Sequence, residues 1–116
     1  MAMEINTEDY QICYDPATAT VSFLGSIRLS GPAEYAPIAQ LLTQVADVEP
    51  TKITLNLQQL EFLNSSGINM LSKFIIEIRK TARVRIAVQG SQSIGWHGKS
   101  LRNFQRLMPG LQLDFL

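Results

Sequence analysis

The chain has 116 residues, 46% of them hydrophobic, with ten acids, ten bases and a single histidine. That is enough for one domain with its own core, too apolar for a disordered chain, and neutral enough to give no general pull toward nucleic acid or an anionic membrane. The charges are nevertheless uneven: residues 1–72 hold eight acids and two bases, residues 73–116 eight bases and two acids. Solvated helix faces account for this most simply; the sharper reading is an electrostatic surface for one acidic partner.

The start, "MAMEINTEDY", contains acids and no long apolar stretch, so it does not read as a signal peptide. No apolar run approaches the roughly 20 residues of a membrane span. A cytoplasmic protein is the resulting expectation. The segments "YQICYD" and "TATVSFLGSIRL" both alternate apolar and polar residues around Pro16-Ala17, which predicts a β-hairpin. Gly25 interrupts the second strand and marks a bulge. The one cysteine, Cys13, lies in the first strand and reads as a small core residue, with no second thiol to bridge.

Ser30 then reads as an N-cap with Pro32 in the first turn. Ile38, Leu41, Leu42 and Val45 form one apolar helical stripe ending before Pro50, with Pro37 marking where the regular helix should begin. "KITLNL" is a short strand with Ile53, Leu55 and Leu57 on one face. "EFLNSSGINML" opens a second helix, whose stripe is Ile68, Leu71, Phe74 or Ile75, and Ile78, and which runs to about Thr81. "VRIAVQG" is another strand, "GSQSIGWHG" a polar loop, "KSLRNFQRLM" a helix and "LQLDF" a last strand. The order ββαβαβαβ predicts a single α/β domain with a central mixed, largely parallel sheet.

Several stretches invite chemistry. "SIGWHGKS" ends in Gly98-Lys99-Ser100 between a strand and a helix, as a phosphate-binding loop does. Ser93, however, stands where that loop needs glycine, and only sixteen residues follow Ser100, among them Asp114 at the end of an apolar strand. A nucleotide-binding enzyme using Gly90–Ser100 is therefore the weakest reading, and a mobile surface loop with an exposed Trp96-His97 pair the stronger one. His97 has no cluster of cysteines or histidines around it to suggest a metal or a catalytic triad. "RKTARVR" suits a helix end better than nucleic acid, since no aromatic residues interleave with its bases.

The serine pair calls for a different explanation. Asn64, Ser65 and Ser66 can each accept hydrogen bonds from free amides at a helix start, but one cap suffices. Gly67 in the first turn costs about 1 kcal/mol relative to alanine, so helix stability does not account for it. A glycine beside a hydroxyl would clear room for another molecule.

At these residues the chain resembles the STAS family, the anti-sigma-factor antagonist domain. The run "ITLNLQQLEFLNSSGINML" matches that family's apolar strand, Ser-Ser-Gly motif and helix. "VSFLGSIRLSGPAEYAPIAQLL" resembles its second strand and first helix, and "VRIAVQG" its later strand. The resemblance implies a non-enzymatic regulatory module without a cofactor. It would bind an anti-sigma-factor-like serine kinase or a related regulator and act in transcriptional control. It also implies phosphorylation of the second serine, Ser66, with Ser65 as the alternative, inside a docking lip of Asn64, Ser65, Gly67, Ile68 and Asn69. The family's usual acid before the serines is Asn64 here, which caps without charge. In the second strand "GSIR" puts Ile27 and Arg28 where an acid often stands. A phosphorylation-independent scaffold, or a sensor binding a small ligand through Gly90–Gly98, is the alternative.

Overall fold

The computed structural model describes residues 4–81 and 83–116. They form β1 (Glu4–Asn6), β2 (Tyr10–Asp15), β3 (Thr20–Ile27), α1 (Gly31–Asp47), β4 (Lys52–Leu63) and α2 (Ser65–Thr81). β5 (Arg85–Gly90), α3 (Gly95–Ser100), α4 (Arg102–Leu107) and β6 (Gln112–Phe115) follow. The six strands make one sheet in sequence order, antiparallel from β1 to β3 and parallel from β3 to β6. The predicted single α/β domain with a mixed sheet is the fold observed. Three elements differ: β1 precedes the hairpin, β4 is longer than predicted, and the last predicted helix starts earlier and divides at Leu101 into two short pieces.

Each parallel crossover steps to the next strand on the same side. With right-handed connections this puts every crossover helix on one face of the sheet. α1 packs on α2, and α2 on α4. The alternation of the strands follows from that layering. Val21, Leu55, Val88 and Leu113 align across the sheet toward the helices, while Cys13, Ser22, Asn56, Gln89 and Asp114 align on the opposite face. Cys13 is therefore not a core residue. It is half-buried in a shallow depression of about 240 Å³ beside Ser22, Leu24 and Asn56.

β4 is twice the predicted length. The strand continues through Leu63 because two bulges against β3 reset its alternation, so that Leu57, Leu60 and Leu63, three apart, are all buried. The Asn56 side chain accepts a hydrogen bond from Gln58 N (3.1 Å) beside the first bulge. At the second, Gly25 has φ +92° and sits against the Asp9 carbonyl, a place with no room for a side chain.

Ile38, Leu41, Leu42 and Val45 of α1 are buried as the stripe predicts, and Pro37 lies inside the helix rather than at its start. Ser30 is the N-cap residue, but its side chain makes no cap bond; its own N–H donates to Glu34 Oε1 (3.0 Å). In α2 both Phe74 and Ile75 are buried, Met70 joins them, and Ile68 is only half-buried.

Candidate functional site

β4 delivers the chain to the top of the sheet, where Asn64 ends the strand and α2 turns back across the helix layer. Asn64 is the cap. Its Oδ1 accepts the Gly67 N–H (3.0 Å) and the Tyr35 hydroxyl (2.6 Å), and its Nδ2 donates to the Leu29 carbonyl (2.7 Å). Gly67 N can only donate and the Leu29 carbonyl can only accept, so the orientation of the amide is determined. One side chain thus ties the start of α2 to the β3–α1 connection and to α1. Tyr35 is buried, and burial pushes its pKa up, so it remains a hydrogen-bond donor.

Sequence reasoning missed Tyr35. Its one signal was its place a turn before Ile38, which marks it as core and reveals nothing of a partner 29 residues away. The same network explains why an asparagine stands here. An aspartate would satisfy Gly67 and Tyr35 but would set a carboxylate oxygen against the Leu29 carbonyl.

Gly67 has an internal reason. A Cβ there would run into the Leu63 side chain and lie 2.7 Å from the Tyr35 hydroxyl. The missing side chain makes room for this protein's own residues, not for an approaching molecule.

With the cap assigned to Asn64, neither serine hydroxyl is used in it. Ser65 is exposed, whereas Ser66 is half-buried and lines a groove between α1 and α2 of about 460 Å³. Ala39 and Thr43 come to that groove from α1; Asn69, Met70, Lys73, Phe74 and Glu77 come from α2. Of the predicted lip, Ser66 and Asn69 reach the groove. Ile68 packs against the core, and Asn64 and Gly67 hold the helix start in place. No acid occupies the first turn of α2, while Arg79 and Lys80 occupy its last, so the amide end of the helix is left uncompensated by charge.

The other candidate residues take the following places in the fold. Gly90 closes β5 and Gly95 opens α3, so Gly98-Lys99-Ser100 lies within a helix instead of a loop able to wrap a phosphate. His97 is fully buried, not exposed. Its Nδ1 accepts Ser91 N–H and its Nε2 donates to the Leu60 carbonyl, both at 2.9 Å. Burial, only partly offset by the Leu60 carbonyl, holds its pKa below the ordinary imidazole value. Half-buried Trp96 packs edge-on against it and donates Nε1–H to the Glu61 carbonyl (2.8 Å). The Gly90–Gly98 segment is anchored to β4. Arg79 and Arg83 of the basic run bind the Leu107 carbonyl (2.8 Å) and Glu49 (3.2 Å); Ala82 lies outside the described residues.

Among the described residues no three histidine, cysteine, aspartate or glutamate side chains are grouped to hold a metal, and no helix is long and apolar enough to cross a membrane. The chain matches no protein-family model and no curated protein. Solved structures do match along the whole chain. A chain of the Pseudomonas aeruginosa diguanylate cyclase SiaD in complex with its activator SiaC superimposes with TM-score 0.72 and 16% identity, over 97% of this chain and 98% of that one. Apo-SiaC from the same organism gives 0.71 and 11%, over 98% of each chain. A further SiaC structure gives 0.69 and 14%, over 100% of this chain and 97% of the other. At such identities the shared property is the fold: this chain is folded like SiaC from end to end.

Proposed function

We propose that this protein is a non-enzymatic, cytoplasmic regulator that docks a partner protein along the α1–α2 groove and the start of α2. Phosphorylation of Ser66 by a partner serine kinase switches it. The observation that carries the reading is the division of labour at "NSSG". Asn64 makes the cap, which frees Ser66 to stand in the groove with no structural duty there. The full-length likeness to SiaC, described in one of those structures as the activator of a diguanylate cyclase, supports a role exercised through another protein.

The physics of such a switch is simple. A phosphate on Ser66 adds about −1.5 to −2 charge at a helix N-terminus, where the dipole favours it by roughly 0.3–1 kcal/mol, so the fold tolerates it. Ala39, Met70 and Phe74 give the groove much of its lining, beside Lys73 and Glu77, and a partner packed against Ser66 without a cation of its own would be repelled. Ser65, Ser66 and Asn69 would contact the partner, while Asn64, Gly67 and Ile68 hold the contact surface in place. An anti-sigma-factor-like kinase, or a related regulator, is the partner this chemistry suits. Phosphopeptide mapping of the protein from its source cells tests the switch: modification at Ser66 is expected. Ser66 unmodified under every growth condition would leave a constitutive scaffold instead.

A further inference from the structure

The bulged end of β4 is short of strand partners. Its pairing with β5 stops at Asn56, and at the second bulge Gly25 pairs with Leu60 and Ser26 with Phe62, so Glu61 has no partner on β3. Carbonyls there need donors from elsewhere. Two consecutive side chains of α3 supply them: His97 Nε2–H to the Leu60 carbonyl (2.9 Å) and Trp96 Nε1–H to the Glu61 carbonyl (2.8 Å). β4 ends two residues later at Leu63, which lies beside Gly67, and Asn64 follows as the cap of α2. The pair thus holds the stretch of chain that carries the start of α2.

His97 is the member of the pair that can change charge. The ring is fully buried, and with Nδ1 accepting the Ser91 N–H at 2.9 Å both nitrogens of the neutral form are used. A second proton has to sit on Nδ1, facing that N–H, and it creates a buried cation. The surrounding elements offer no counter-charge. Glu61 on β4, Lys99 on α3, and Arg102 and Arg106 on α4 are exposed, and Asp114 of β6 faces the helix-free side. The connection from Ser91 to Ile94 has no ionisable side chain, and His97 is in neither of the ion pairs among the described residues. An imidazolium left without a partner there has to reach water. The piece that must move is small, since α3 has six residues and a helix of that length holds its shape through its packing.

We propose that the Trp96–His97 pair is an acid-operated latch: a proton on Nδ1 drives the pair off the Leu60 and Glu61 carbonyls and loosens the end of β4, with the start of α2 that it carries. Burial holds the His97 pKa below about 6.5, so the latch is closed at neutral pH and opens as the pH falls through the folded-state value. The device acts apart from any phosphate on Ser66.

The chain has one tryptophan and one histidine, so the wild-type protein reports on both halves of the latch. On lowering the pH, the Trp96 emission maximum should move to longer wavelength and its accessibility to acrylamide should rise. Both should change in one step, with the midpoint of the imidazole titration, while the far-ultraviolet circular dichroism of the fold is retained. Intensity is a poor readout, because a protonated imidazole quenches a neighbouring indole in place. Below the midpoint, amide exchange corrected for its intrinsic pH dependence should rise more than about tenfold at Ser91 and Gly67. Thr54, bonded to the Ala19 carbonyl at the other end of β4, should keep its protection. His97→Gln, whose amide can accept from Ser91 and donate to Leu60 without titrating, should abolish the step; should that variant fail to fold, the wild-type measurements decide alone. A Trp96 signal that stays flat through the imidazole titration, a step with a different midpoint, a step that persists in folded His97→Gln, or exchange that rises equally at Thr54 would each overturn the inference.

Discussion

The Tyr35 hydroxyl and the Asn64 amide, 29 residues apart, meet at 2.6 Å and join α1 to the first turn of α2. Tyr35 also lines the groove that holds Ser66. Anything that displaces it alters both the fold and the proposed docking surface.

Asn64→Asp should therefore destabilise the protein in spite of placing a carboxylate at a helix N-terminus. The dipole returns roughly 0.3–1 kcal/mol. The lost Leu29 bond and the carbonyl left facing a carboxylate oxygen cost about 1–3 kcal/mol, and the second effect wins. Urea denaturation should show a net loss of about 1–2 kcal/mol. An aspartate variant as stable as the wild type would mean that the Leu29 contact contributes nothing.

Gly67→Ala sets two effects against each other. Alanine gains about 1 kcal/mol of helix propensity. Its methyl must displace Leu63 and crowd the Tyr35 hydroxyl, which Asn64 holds in place, and overpacking of this kind costs about 1–3 kcal/mol. A lower unfolding midpoint in urea is expected. A stabilised variant would show that Leu63 moves aside freely.

His97 makes stability depend on pH in one direction. Its folded-state pKa lies below the unfolded value of about 6.5, so the unfolded chain binds a proton more readily. The full contribution is present above that value and falls away as the pH drops through the folded pKa. Protonation also puts a proton on Nδ1, where the Ser91 N–H already points. A ¹⁵N titration of the imidazole should give a midpoint below about 6.5, with the proton on Nε2 at neutral pH. A midpoint above that value would contradict the buried, doubly bonded geometry.

The lysine of the apparent phosphate loop should be dispensable. Because Lys99 is exposed on a short helix that begins at Gly95, Lys99→Ala should leave the intrinsic Trp96 fluorescence response to millimolar-range ATP or GTP as flat as in the wild type. A saturable response in the wild type that disappears in Lys99→Ala would restore the nucleotide reading.

These cases show where the sequence could be read and where it could not. The hairpin, the α1 stripe and the span of α2 follow from periodicity, because burial on one face imposes a period of two or nearly four. The full length of β4 was hidden by its bulges, which space Leu57, Leu60 and Leu63 in threes and break the strand pattern. The site divides in the same way. That "NSSG" begins a helix was legible; that Asn64 alone caps it was not, since Tyr35 and the Leu29 carbonyl are brought there by the fold. The burial of His97 was equally hidden, because its two backbone partners lie on β4 and in the β5–α3 connection.

The central claim is that charge on Ser66 ejects a partner from the α1–α2 groove without unfolding the protein. The most direct measurement is the affinity of the partner, once identified, for three forms of the protein: wild type, Ser66→Ala and phosphoserine at position 66. Ser66→Ala should bind within a few-fold of wild type, since the hydroxyl is not part of the cap. The phosphorylated form should retain its circular dichroism spectrum and bind more than about tenfold more weakly, a difference of about 1.4 kcal/mol. Equal affinity for all three forms would contradict the account.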